Sequence, residues 1–203
     1  MTVERGGAWG KAQPLPADGV IARSDAEAAS VIASARSRGL AVPPIGLLAG
    51  DLCRTVGGIG DERRLHTDDA VTLPVDIAEV EVDGHPHVFV AHVVARRSWW
   101  RGRVWVAMNA EWLGRWDVAP RAHPGDGLLD ILDVALDFGD RLKARRRLRT
   151  GTHVPHGDIT QVRAASARAE FDKPVDVWVD GRRVGDATAI AVRVTGELVD
   201  IVV

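Results

Sequence analysis

The chain has one cysteine, Cys53, in 203 residues, which rules out an internal disulfide and any zinc site built from several thiolates. Tyrosine is absent and lysine is scarce, three against 23 arginines, a bias that needs no functional meaning. No run approaches the roughly 20 consecutive apolar residues of a membrane-spanning helix. The opening residues, Met1 to Gly7, hold no apolar signal-peptide core, so a cytoplasmic chain is expected. Neither sign of charge dominates. With 26 basic and 28 acidic residues the net charge is −2, so no global field attracts nucleic acid, and any anionic surface must be met by a local patch. No G-x-S-x-G, Walker loop, G-x-G-x-x-G or H-E-x-x-H is present.

What remains is ordinary globular material, 46% apolar and 27% charged. Residues 1–18 are rich in glycine and proline and read as a flexible leader. A compact unit over 19–70 follows. Val20-Ile21-Ala22 is a short strand. Ser24-Asp25-Ala26-Glu27 is a capping box, with the serine hydroxyl accepting a free amide and Glu27 reaching back. Behind it, Ala28, Val31, Ile32 and Ala35 have helical spacing, and Gly39 supplies the stop. Pro43 to Leu48 reads as a second strand.

From residue 71 to 203 the pattern is of strands and tight turns. Asp76–Val82 and His87–Val94 flank the hairpin signal Asp83-Gly84, and Arg103–Met108 is a further strand. Val175–Val179 precedes a second turn, Asp180-Gly181, with strands expected at 189–194 and 198–203. The fold class is α+β, mainly β: an antiparallel β-sandwich carrying a small N-terminal βα element.

Several groups of residues are chemically suggestive. Asp126, Asp130, Asp133, Asp137 and Asp140 would line one face of a helix, as a divalent-metal surface or simply a solvated one. His66, His85, His87, His92, His123, His153 and His156 carry no metal-ligand spacing, so the metal is left unknown. Arg96, Arg97, Arg101 and Arg103 alternate with Trp99, Trp100 and Trp105. That pattern suits an anionic partner or a strand pair whose arginine stems lie over indoles. A second basic run, Arg141 to Arg149, includes Arg145, Arg146 and Arg147.

At Asn109 the chain begins to resemble a known family. Asn109-Ala110-Glu111-Trp112-Leu113-Gly114, then Val118 to Asp130, then Arg145 to Thr152, and finally Val177-Trp178-Val179-Asp180-Gly181-Arg182 match in order the second domain of diacylglycerol kinase-like lipid kinases. Upstream, Ile45 to Gly57 resembles the end of the family's nucleotide domain, with its Gly-Thr-Gly-Asn stretch shortened and Asp51 and Arg54 retained. The resemblance implies a β-sandwich over most of the chain, so Leu128 to Leu132 becomes a strand and Asp137 the cap of a short basic helix. It also places Asp180 where the family has its general base, beside Arg182 rather than an acid.

No glycine-rich "GGDGT" loop precedes Ile45, and 48 residues hold one βαβ unit of about 30 residues rather than a whole nucleotide domain. The expected function is a catalytically degenerate lipid kinase-like protein with a residual ligand- or partner-binding role. The alternatives are an ATP-dependent lipid kinase whose phosphate site a partner chain completes, and a structural β-sandwich interaction module. Asp180 is the candidate base, Asp51 and Arg54 the nucleotide-side residues, and Arg145, Arg146 and Arg147 the lipid or anion surface. ATP and magnesium are expected only if the chain is active. A lipid or anionic membrane surface, a second copy or a protein partner are the expected ligands, and nucleic acid is not. The basic residues would otherwise be neutralised by Asp130, Asp133 and Asp137.

Overall fold

The computed structural model describes residues 9–152 and 158–203. The N-terminal elements are β1 (Lys11–Ala12), β2 (Val20–Ala22), α1 (Asp25–Ser37), β3 (Ile45–Leu47) and α2 (Asp51–Thr55). After a 3-10 turn come β4 (Val71–Val82), β5 (His85–Phe89), β6 (His92–Arg96), β7 (Val104–Met108), β8 (Trp112–Leu113) and β9 (Trp116–Asp117). The chain closes with β10 (Leu129–Val134), α3 (Phe138–Arg147), β11 (Ile159–Ala164), β12 (Ser166–Val179) and β13 (Arg182–Val202).

Local chemistry sets the start and stop of α1. The Ser24 hydroxyl accepts the Glu27 amide at 3.2 Å, a cap worth about 1 kcal/mol. Glu27 reaches one residue further back than a standard capping box and accepts the Arg23 amide at 2.6 Å. Gly39 ends the helix at φ +66°, a conformation that a side chain would strain.

Eleven strands form one sheet, eight of them along the path β1-β4-β13-β12-β6-β7-β10-β11, in which every pairing is antiparallel. Strand β5 joins β4, while β3 pairs in parallel with the end of β13 and β2 in parallel with β3. The sheet curls, so that strands from both of its halves share a core containing Val80, Phe89, Trp105, Leu129 and Val177. A second core lies under α1 and α2, built from Ile32, Ile45, Leu52, Ile77 and Ile201.

Strand β4 serves both. Leu73, Val75 and Ile77 face the core beneath the helices, whereas Ala78, Val80 and Val82 face the sandwich. The buried parity changes at Ile77/Ala78, and both neighbours there are buried. Opposite this change, β13 has an irregularity between Val194 and Leu198, with Gly196 at φ +78°.

Three sequence expectations need correction. Residues 87–94 are two strands, because the chain breaks at Val90-Ala91, whose amides turn to the Asp180 carboxylate. Residues 189–194 and 198–203 lie on a single strand, β13, that absorbs the interruption as a bulge. The described part of the leader, 9–18, is held down: β1 pairs with β4, the Trp9 indole donates to Pro74 O at 3.0 Å, and Leu15 is buried. The resemblance-based reading of 128–148 agrees with the structure. Strand β10 is followed by α3, and the Asp137 carboxylate accepts the Asp140 amide at the helix start.

Candidate functional site

Asp180 opens the turn between β12 and β13. Both turn residues have positive φ, 46° at Asp180 and 79° at Gly181, the geometry of a type I′ hairpin. That backbone aims the carboxylate inward, where it is 7% exposed. Oδ2 accepts the Val90 amide, and Oδ1 accepts those of Ala91 and His92, each at 2.9 Å. Burial pushes the acid's pKa up, against the opposing pull of His92 and the three amides.

His92 connects this turn to the N-terminal unit. Its amide serves Asp180, while its Nε2 lies 2.8 Å from Asp51 Oδ2. Burial alone would depress the imidazole pKa, but the Asp51 hydrogen bond and the charges of Asp180, Asp51 and Asp25 outweigh it and raise the value. The Asp51 carboxylate also accepts the Gly114 amide.

Asp25 completes the group. It is 5% exposed, and its Oδ2 and Oδ1 accept the Asp51 and Leu52 amides at 2.6 and 3.3 Å. Its carboxylate therefore sits on the free amides at the start of α2, where a helix presents donors to an anion. Burial, reinforced by the charge of Asp180, pushes its pKa up to about 7. Gly50 makes room: a Cβ there would lie 2.2 Å from Asp25 Oδ1, and its φ of +118° already excludes most side chains.

Of the residues singled out in the sequence, Asp51 and Asp180 are thus brought together through His92. Arg54 is close by but faces the β8–β9 hairpin, where its guanidinium lies 3.4 Å from the Trp112 ring centroid and donates to Gly114 O at 3.0 Å. The Asn109 side chain donates to Asp76 O and Val90 O, joining β4 to the chain break beside Asp180. Sequence reasoning missed Asp25 as a member of this group, since it is hidden inside a capping box. His92 stood among seven histidines, and nothing in its neighbours marks it.

The aspartate series does not form one surface. Asp130 meets Arg163 and Gln161, Asp133 meets Arg103, and Asp137 caps α3. The alternative in which Asp130, Asp133 and Asp137 neutralise Arg145, Arg146 and Arg147 is therefore not what the structure has. All three arginines are exposed. They do not share one face, because consecutive helical residues are turned about 100° from one another.

His153 and His156 lie outside the described residues. Among the described residues, no three His, Cys, Asp or Glu side chains come together as a metal-holding group.

A separate cavity of about 280 Å³ opens between α3 and the sheet. Val106, Leu132, Trp99, Trp116, Ala144 and Leu148 line it, with Arg145 at its edge. The arginine–tryptophan run divides here. Arg96 stacks on Trp99 at 4.4 Å, and Arg103 forms a two-point pair with Asp133, whereas Trp100 and Arg101 stay exposed.

Similarity to known proteins agrees with this architecture. A model of the YegS C-terminal NAD kinase beta sandwich-like domain matches residues 72–203. Among solved structures, a proposed diacylglycerol kinase from Bacillus anthracis superposes with a TM-score of 0.66 at 16% identity, covering 91% of this chain and 77% of that one. A crystal structure of a diacylglycerol kinase from the same organism gives 0.54 at 17% identity, covering 90% and 75%. At such identities the likeness speaks for the fold. No curated protein matches the chain in sequence. With its sandwich matched from β4 through β13, the chain belongs to the YegS C-terminal NAD kinase beta sandwich-like domain family.

Proposed function

We propose that this is a diacylglycerol kinase-like protein whose phosphotransfer centre is degenerate, and which retains a binding role for an apolar, lipid-like ligand. One observation carries the first half: the Asp180 carboxylate is buried, and both of its oxygens accept backbone amides, those of Val90, Ala91 and His92. A general base must reach the proton it removes. Here the two oxygens hold a chain break together, and the group acts as a structural anchor.

The surroundings are equally unsuited to ATP and magnesium. The amides at the start of α2 are occupied by Asp25, a carboxylate of the same chain. A nucleotide phosphate placed there would face Asp25, Asp51 and Asp180, and phosphoryl transfer depends on neutralising charge rather than adding it. Arg182, the first residue of β13, stands where the resemblance implies an acid and adds a positive charge where a magnesium ion would need a negative one. These residues do not fit the triphosphate and its metal.

The ligand-binding half rests on the α3 cavity, whose indole and aliphatic walls match an acyl chain better than a sugar or nucleotide. Purified protein should give no phosphorylation of diacylglycerol with ATP and magnesium, and no thermal shift with that pair, since a ligand of the native state must stabilise it. It should bind a fluorescent fatty acid. Robust lipid phosphorylation, lost in a folded Asp180→Asn variant, would overturn the first half; absence of fatty-acid binding would overturn the second.

A further inference from the structure

We infer that the edge formed by α3 and the β6–β7 loop is a membrane-docking surface, fitted to an anionic phospholipid bilayer. The inference goes beyond the reading of the cavity and does not require it. Three large apolar side chains stand exposed together on this edge: Phe138 at 65%, Leu142 at 44% and Trp100 at 39%. The Trp100 and Phe138 rings lie 6.1 Å apart, and Leu142 follows Phe138 by one helical turn. A neighbouring side of α3 is fixed to the protein, with Arg141 buried and donating to Leu136 O, Trp99 O and Gly102 O. Thus α3 is held rigidly with an apolar ridge facing outward.

Cations surround that ridge. Arg145 lies over Trp100 at 5.0 Å, Arg101 lines the same shallow hollow as Trp100 and Phe138, and Arg146 is one turn beyond Leu142. On the helix, Asp137 caps the N-terminus and Asp140 takes Lys143 at 2.8 Å; Glu170 and Asp172 share a second hollow with Arg101, where Arg97, Arg103 and Lys173 outnumber them. Aromatic and aliphatic tips inside a ring of arginines suit the interface of an anionic leaflet, where indoles rest at the headgroups and guanidinium groups reach the phosphates. A second copy fits poorly, because its face would bring the same arginines against these. A single-stranded nucleic acid would want stacking faces in a groove, whereas Leu142 offers a ridge with no ring.

Co-sedimentation with phosphatidylcholine vesicles, with and without about one third phosphatidylglycerol, tests this on the full chain. The wild type should sediment with anionic vesicles and not with neutral ones, and high salt should release it. Each arginine removed, as in Arg101→Ala and Arg145→Ala, should weaken binding about fivefold. The pair Phe138→Ser and Leu142→Ser, both exposed and tolerable to the fold, should abolish it. No sedimentation with anionic vesicles, or sedimentation undiminished by both sets of changes, would overturn the inference, as would capture of an oligonucleotide in place of vesicles. Fatty-acid binding measured on the same variants keeps a failure here separate from a failure of the cavity reading.

Discussion

His92 Nε2 lies 2.8 Å from Asp51 Oδ2, and through this contact the sandwich holds the N-terminal unit. The same histidine gives its amide to Asp180, so one residue joins α2, β6 and the β12–β13 turn. The position that the family resemblance marks for catalysis thus lies at a three-way structural joint.

Breaking that joint should be costly. Asp51→Ala removes the acceptor of the His92 imidazole and of the Gly114 amide. Losing one partner of a buried pair costs about 3 kcal/mol, and urea unfolding should register a loss of that order. Asp51→Asn keeps an acceptor for Gly114 and should lose less.

The pH dependence of stability has a definite sign. The Asp25 pKa rises from 3.8 to about 7 on folding, so between those values the folded chain holds a proton that the unfolded chain releases. Stability attributable to Asp25 is therefore highest at the acid end of this window and declines as pH rises to about 7. His92, with its pKa raised above 6.5, acts in the same direction: its contribution is complete below 6.5 and is lost as pH rises through the raised value. Melting temperature should fall between about pH 4 and pH 7, and Asp25→Asn should flatten the slope. A wild-type profile with the opposite slope would contradict the assignment.

Gly50 is expected to be intolerant of a side chain. At φ +118°, with the Asp25 carboxylate 2.2 Å from a would-be Cβ, Gly50→Ala should cost about 2 kcal/mol or more. Part of that cost is collision with Asp25. The same substitution made in an Asp25→Ala background should therefore cost less, a coupling that a double-mutant cycle measures.

Filling the α3 cavity should separate stability from binding. Ala144→Leu places a larger apolar side chain in a space of about 280 Å³ and should stabilise the protein by about 1 kcal/mol. Thermal unfolding checks this. Fatty-acid binding to the same variant should disappear.

Features written in neighbouring residues were legible without coordinates. Ser24 caps α1 because its hydroxyl needs only an amide three residues away. The Asp83-Gly84 and Asp180-Gly181 turns follow from the ease with which Asp and Gly take positive φ. The order of motifs after Asn109 indicated the sandwich, and with it the change from strand β10 to helix α3 at Asp137.

What sequence pattern alone left undecided depends on partners far along the chain. An apolar run from His87 to Val94 reads as one strand, and it is two because a carboxylate some 90 residues away claims the amides in its middle. Asp25 belongs to a helix start by sequence, yet its side chain is committed to Asp51, 26 residues on. Arg145, Arg146 and Arg147 are adjacent in sequence and diverge in space because helical geometry turns each away from the last. Turns, caps and the succession of elements are written in neighbouring residues, since those are short-range matters of backbone freedom and hydrogen bonding. Tertiary structure decided which carboxylates are buried, where a strand breaks and which arginines ring the apolar edge, because burial and pairing are set by segments that only folding brings together.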